Sequence, residues 1–284
     1  MLLPAWYSAK QNPPIPLIIS PHGRGRTGRE NIAIWGNLPT HGGFAVVNPD
    51  GQGRRLSRHS WGFAGQIDDL ARMPQIVERA LPWVRVDRTQ IYAFGGSMGG
   101  QETLLLLARY PRLLAGAAVF SSVVDLARQY RGFPRIVCGP SCQRIRGRAE
   151  PLGRVLQKLA RQEIGGSPQT RPAAYVQRSP LTYVQKIAFS CVPLQIWWSV
   201  SDRIVIDQQK HSGRLFWEIR RLNPAAPVQG FVGFWIHSSE MRARSRLPDA
   251  LANFGLAEAP SQERGPEVRI VPQPLASAEC VPER

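Results

Sequence analysis

The run Gly95-Gly96-Ser97-Met98-Gly99 restricts the possible folds more than any other feature of the chain. Gln90 to Phe94, before it, is an apolar run of strand length. Gly100 to Tyr110, after it, has helix length, is apolar nearly all round at Leu104 to Leu107, and is stopped by Pro111. A G-x-S-x-G run at a strand-to-helix junction makes a sharp, strained turn that presents the serine hydroxyl above the sheet edge. Glycines are needed there because a Cβ would clash where the backbone turns and nears its neighbours. The motif is short, and its junction gives it weight.

The same alternation of apolar runs and amphipathic segments extends along the chain, as in a parallel sheet covered by helices on both faces. Ile15 to Ser20, Phe44 to Asn48, Ala115 to Phe120, Leu194 to Val200 and Val228 to Phe234 read as buried strands, and Leu2 to Tyr7 as an added edge strand. Ile67 to Trp83 reads as a helix with Asp68 and Asp69 in its first turn, kinked or split by Pro74. Gln208 to Leu222 reads as a helix ended by Asn223-Pro224, and Pro248 begins a last helix stopped at Gly255. The fold class is therefore α/β, with a mostly parallel central sheet.

Two segments fall outside this alternation. Residues 126–190 separate two strands by far more than one crossover helix requires, and contain an amphipathic stretch from Leu152 to Ile164. From residue 257 onward Pro, Glu, Ser and Ala dominate without periodicity. The organisation read from the sequence is a domain over 1–256, interrupted by an insertion at about 126–190, and a flexible tail over 257–284.

A serine hydroxyl is a poor nucleophile until a base takes its proton, so Ser97 requires a histidine whose tautomer is held by a carboxylate. Asp202 follows the strand Leu194 to Val200, at the carboxyl end where open α/β sheets gather functional groups. Asp207 is its rival, placed where the next helix should begin and read as a helix cap. Of the five histidines, His237 alone lies beyond both the serine and the last strand. His41 and His59 precede Ser97, and His211 falls inside a helix. The candidate catalytic set is Ser97, Asp202 and His237. For the oxyanion, one N–H donor is that of Met98 at the start of the helix, and the other comes from the His22-Gly23-Arg24-Gly25 loop, from Arg24 or Gly23. His22 is read as organising that loop by hydrogen bonding.

These residues resemble the α/β-hydrolase superfamily, and within it the prolyl-oligopeptidase-like and dienelactone-hydrolase-like esterases. The likeness runs from about Leu3 to Leu256 and includes Pro21-His22-Gly23, Gly95 to Gly100, Ser179-Pro180-Leu181 to Ile187, and Pro193 to Asp202 with Val205. It implies an α/β-hydrolase fold in which 126–190 is a cap, and hydrolysis of a small-molecule ester or amide through an acyl-enzyme, without cofactor or metal. Ser199 departs from the pattern, standing where many members have glycine. The 14 residues before the strand at Ile15 are too few to build the amino-terminal propeller carried by peptidases of the group, so the expectation places a peptidase second to an esterase. Trp61, Trp197, Trp198 and Trp235 lie near strand ends, as pocket lining or core.

The formal net charge of +16 raises nucleic acid as a partner, but only four of the 36 basic residues are Lys, and the Arg residues are spread without an aromatic stacking motif. The basic side chains read as a solvated surface, with a concentration from Arg128 to Arg161 that suits an anionic substrate. No apolar run approaches the ~20 residues needed to cross a bilayer, and Met1 to Pro4 lacks the charged start of a signal peptide. The reading is a cytoplasmic protein, or a secreted one if a segment precedes Met1. Cys138 and Cys142 sit in a turn where a short-range disulfide fits an oxidising compartment, and Cys191 reads as core.

Overall fold

A computed structural model describes residues 1–136, 152–258, 268–271 and 280–281. Among these residues the sheet has seven strands: β1 (Ile15–Ile19), β2 (Ala45–Val47), β3 (Val86–Gly96), β4 (Gly116–Phe120), β5 (Leu194–Ser199), β6 (Val228–Gly233) and β7 (Val268–Ile270). They lie in the order β2-β1-β3-β4-β5-β6-β7, parallel except for β7.

Both faces of the sheet are dry, and the period of two in the strands assigns their residues to separate cores. Leu17, Ile19, Ala93, Val119, Ile196 and Trp198 face one core with Leu104 to Leu107, Leu215 and Phe216. Ile18, Phe94, Ala118, Phe120, Trp197 and Phe231 face the other, closed by Leu247 and Leu251. A third cluster lies under the insertion, where Tyr130, Phe133, Leu156, Ala160 and Tyr175 pack with Trp61, Met98 and Val205. Met98 follows β3 and Val205 follows β5, so the insertion covers the carboxyl ends of the strands.

Several elements depart from the sequence reading. Leu2 to Tyr7 makes only an isolated antiparallel bridge, Leu2 to Val46, because Pro4 has no N–H for a ladder and the chain turns at Ala5-Trp6. The segment around Pro74 is two helices, Ala64–Ala71 and Met73–Ala80, with the proline tolerated near the start of the second. The first begins at Ala64, which moves Asp68 and Asp69 out of its first turn. The segment beginning at Gln208 is a 3₁₀ turn, Gln208–Lys210, broken at His211 from the helix Ser212–Leu222.

Val268–Ile270 adds antiparallel to β6, and Cys280 is bonded to Cys191. Cys191, read as core, is thus a half-buried disulfide partner; 89 residues separate the two sulfurs in sequence, and nothing in the spacing reveals the pair. Cys138 and Cys142 lie outside the described residues. Among the described residues, no helix is long and apolar enough to cross a membrane.

Candidate active site

Ser97 follows β3 directly and begins the helix Met98–Arg109, with φ 58° and ψ −120°. A positive φ is strained in any residue with a Cβ, and the neighbours hold it. The Ser97 N–H donates to the Phe120 carbonyl at the end of β4 (2.8 Å), and its carbonyl accepts the Gln101 N–H (3.1 Å). The flanking glycines answer to contact: a Cβ on Gly95 would strike the Gly99 carbonyl, and one on Gly99 would strike the Pro21 carbonyl. The second contact also shows that the loop after β1 lies against the turn.

Asp202 lies in the turn after β5. Its Oδ1 accepts the N–H groups of Ile204 (2.8 Å) and Val205 (3.0 Å), and its Oδ2 lies 2.7 Å from His237 Nδ1. Burial alone would raise this carboxyl, but the His237 charge, its hydrogen bond and the two N–H donors outweigh burial and hold it below the ordinary value. His237 Nε2 lies 2.8 Å from Ser97 Oγ. With Asp202 ionised, Nδ1 carries the proton, and Nε2 accepts from the serine hydroxyl. Asp207 stands apart. It adopts φ 62° before the 3₁₀ turn, makes no side-chain cap bond, and pairs with Arg135 (3.7 Å) and Lys210 (4.0 Å).

The Ser199 hydroxyl accepts the N–H of Ser201 (3.1 Å) and of Trp235 (3.0 Å), and donates to the Trp235 carbonyl (2.8 Å). One hydroxyl at the end of β5 therefore ties the turn carrying Asp202 to the loop carrying His237. The sequence marked Ser199 only as a departure from glycine.

In the loop after β1, the His22 ring nitrogens lie 2.8 Å and 3.0 Å from the carbonyls of Gly23 and Gly51, the organising role read for it. Gly25 N–H donates to the Arg58 carbonyl (2.8 Å). Among the described residues no acceptor takes the N–H of Gly23 or Arg24, and the Met98 N–H is in the first helical turn, where no intrahelical acceptor exists.

Two of the buried acids that escaped the sequence reading lie close in sequence to Ser97 and His237. Glu240 lies three residues past His237, fully buried, with Oε1 accepting from Ser121 Oγ (2.7 Å) at the end of β4. Glu102, on the helix after Ser97, accepts from Ser60 Oγ. Burial raises each to about 8. Trp197 stacks on Phe231 at 3.9 Å and Trp198 packs near Phe216, so both are core, while Trp61 joins Met98 and Phe133 beneath the insertion. Among the described residues no cluster of His, Cys, Asp or Glu is placed to hold a metal ion. A basic groove of about 810 Å³ on the insertion, with Arg55, Arg154, Lys158 and Arg161 in its wall, contains neither Ser97 nor His237.

No protein-family model matches this sequence, and no curated protein matches it. Solved structures do. The acylaminoacyl peptidase of Pyrococcus horikoshii aligns with TM-score 0.58 and 16% identity over 88% of this chain and 38% of its own. A puromycin-hydrolyzing peptidase of Mycobacterium tuberculosis gives 0.59 and 17% over 90% and 36%. An S-formylglutathione hydrolase from Agrobacterium tumefaciens gives 0.52 and 14% over 87% and 85%. The chain thus spans well under half the length of the first two. The fold is that of the α/β-hydrolases.

Proposed function

We propose that the chain is a serine hydrolase that cleaves carboxylic esters through an acyl-enzyme. The observation that carries this reading is the unbroken chain from Ser97 Oγ to His237 Nε2 (2.8 Å) and from His237 Nδ1 to Asp202 Oδ2 (2.7 Å). Ser97 Oγ attacks the ester carbonyl carbon as its proton passes to His237 Nε2, and Asp202 stabilises the imidazolium. The negative charge moves to the carbonyl oxygen, received by the N–H of Met98 with that of Arg24 or Gly23, each donor worth about 3–4 kcal/mol in such sites. Collapse breaks the bond to the alcohol oxygen, which takes the proton from His237. Water then attacks the acyl-Ser97 bond by the same route, releasing the acid and restoring the serine. None of these steps requires a cofactor.

Amide cleavage uses the same groups and demands more of His237, because an amine leaves only when protonated. The likeness to structures described as peptidases keeps this as a second reading. Turnover of nitrophenyl esters with two to sixteen acyl carbons, measured beside aminoacyl-naphthylamides, separates the two. The ester reading expects kcat/KM higher on an ester of some length; higher values on the naphthylamides would reverse the order.

A further inference from the structure

The helix Leu152–Ile164 of the insertion carries its charges unevenly. Leu156, Ala160 and Ile164 recur at intervals of four and sink into the cluster beneath the insertion. Arg154, Lys158 and Arg161 recur at i, i+4 and i+7, so they share another side of the helix, and all three are exposed. Elsewhere an exposed Arg pairs with an acid three residues away, as Arg72 does with Asp69 (3.5 Å) and Arg221 with Glu218 (2.9 Å). Here the one acid of the helix, Glu163, is turned inward, its side chain 1% exposed.

Glu163 fastens this helix to a second basic segment. Its Oε1 and Oε2 accept the backbone N–H groups of Arg54 (2.6 Å) and Arg55 (3.2 Å), in the loop after β2, and its carbonyl accepts from Arg54 Nε (3.2 Å). Arg178 lies 3.8 Å from the same carboxylate. Gly53 is required for this approach, because a Cβ there would come within 2.6 Å of the Glu163 carboxyl carbon. The segment carrying Arg55 is thereby fixed against the helix, and together they wall the groove of about 810 Å³ on the insertion, lined by Arg55, Arg154, Lys158 and Arg161. Among the described residues no acid and no aromatic ring lines it, and no ion pair ends on any of the four cations.

We propose that this groove is a binding site for a linear, multiply charged phosphate anion of small-molecule size, separate from the serine site. Four like charges on one concave wall reinforce one another's field, and a multivalent anion relieves their repulsion. The cations at 154, 158 and 161 span about 10 Å along the helix axis, which suits an elongated anion better than a compact one. Guanidinium forks match phosphate oxygens in pairs. Single-stranded nucleic acid is bound through aromatic faces that stack its bases, and the groove offers none. Its volume is that of a small-molecule site. The proposal stands independently of the reading of Ser97.

Equilibrium dialysis of the full chain against labelled inorganic tripolyphosphate, in about 0.15 M salt, tests it. Wild type should bind one equivalent, and orthophosphate, too short to span the stripe, should bind about tenfold more weakly or worse. Lys158→Gln combined with Arg161→Gln should weaken tripolyphosphate by about tenfold or more. Arg112→Gln combined with Arg214→Gln, which removes two exposed cations outside the groove, should bind as wild type does. Melting temperatures establish that both double variants are folded; should the first melt lower, Arg55→Gln reads the same groove from its other wall. Equal weakening by both double variants would reduce the effect to net charge and overturn the site, as would no retention of millimolar tripolyphosphate by folded wild type. Tighter binding of an oligothymidylate, lost in Lys158→Gln with Arg161→Gln, would replace the small anion by a nucleic-acid strand. Ser97→Ala should bind as wild type does, and a loss there would place the anion in the serine site and overturn the proposal.

Discussion

Ser97 holds a backbone conformation that costs on the order of 1–3 kcal/mol for a residue with a Cβ, and its position between β3 and the helix Met98–Arg109 keeps it there. The groups it meets are a histidine whose orientation is set from behind by Asp202. Replacing Asp202 by Asn keeps the shape but gives His237 a partner that favours the wrong tautomer. Steady-state hydrolysis of a nitrophenyl ester by Asp202→Asn should show kcat lower by about 10³–10⁴. Asp207→Asn, which disturbs only the pairs with Arg135 and Lys210, should stay within about twofold of wild type. The reverse ranking would assign the acid to Asp207. These residues were legible because chain order leaves few candidates: a glycine-flanked serine, a carboxylate after the next-to-last parallel strand, one histidine after the last. Ser199 and Glu240 were not, because hydroxyls and carboxylates are ordinary surface residues in a sequence, and only the packed turn shows them buried.

At the scale of elements, the site is held where strand ends meet loops. Ser199 joins the end of β5 to the loop after β6, and Glu240 joins that loop to Ser121 at the end of β4. Glu240 makes this bond as a neutral acid in the folded state, since burial raises its carboxyl to about 8. In the unfolded chain the same group ionises near about 4.3. Between those values the native state retains a proton that the unfolded state has released, so the group lowers stability as pH rises through that window. Glu240→Gln removes this contribution. Melting temperatures measured from pH 5 to pH 8 should fall less steeply in the variant than in wild type, with Glu102 carrying part of the remaining slope. A parallel pair of profiles would mean that Glu240 is ionised in the fold. The sheet itself was legible, strand by strand, from apolar runs too continuous for any but a doubly covered sheet. β7 was not, because it is three residues long and sits among prolines and acids that suggest no strand.

For the molecule as a whole, the bond between Cys191 and Cys280 closes the carboxyl-terminal part of the chain onto the sheet. Cys191 precedes β5 and therefore lies at the opposite edge of the sheet from Ser97, which follows β3. A crosslink across 89 residues restrains the unfolded chain by about 4.6 kcal/mol, and its loss should lower the melting temperature by roughly 10 °C. Calorimetry of Cys280→Ser should show that fall, with ester hydrolysis at 25 °C retained. An unchanged melting temperature would mean that the tail contributes nothing to the fold. A +16 chain suggests a nucleic-acid binder, yet its Arg residues are spread along the chain without an aromatic stacking motif.

The central claim is that Ser97 is an activated nucleophile, and covalent labelling tests it most directly. After treatment with a fluorophosphonate, peptide mass spectrometry of wild type should place the adduct on Ser97, and Ser97→Ala should carry none. Equal labelling of both proteins, or an adduct on any other serine, would contradict the account.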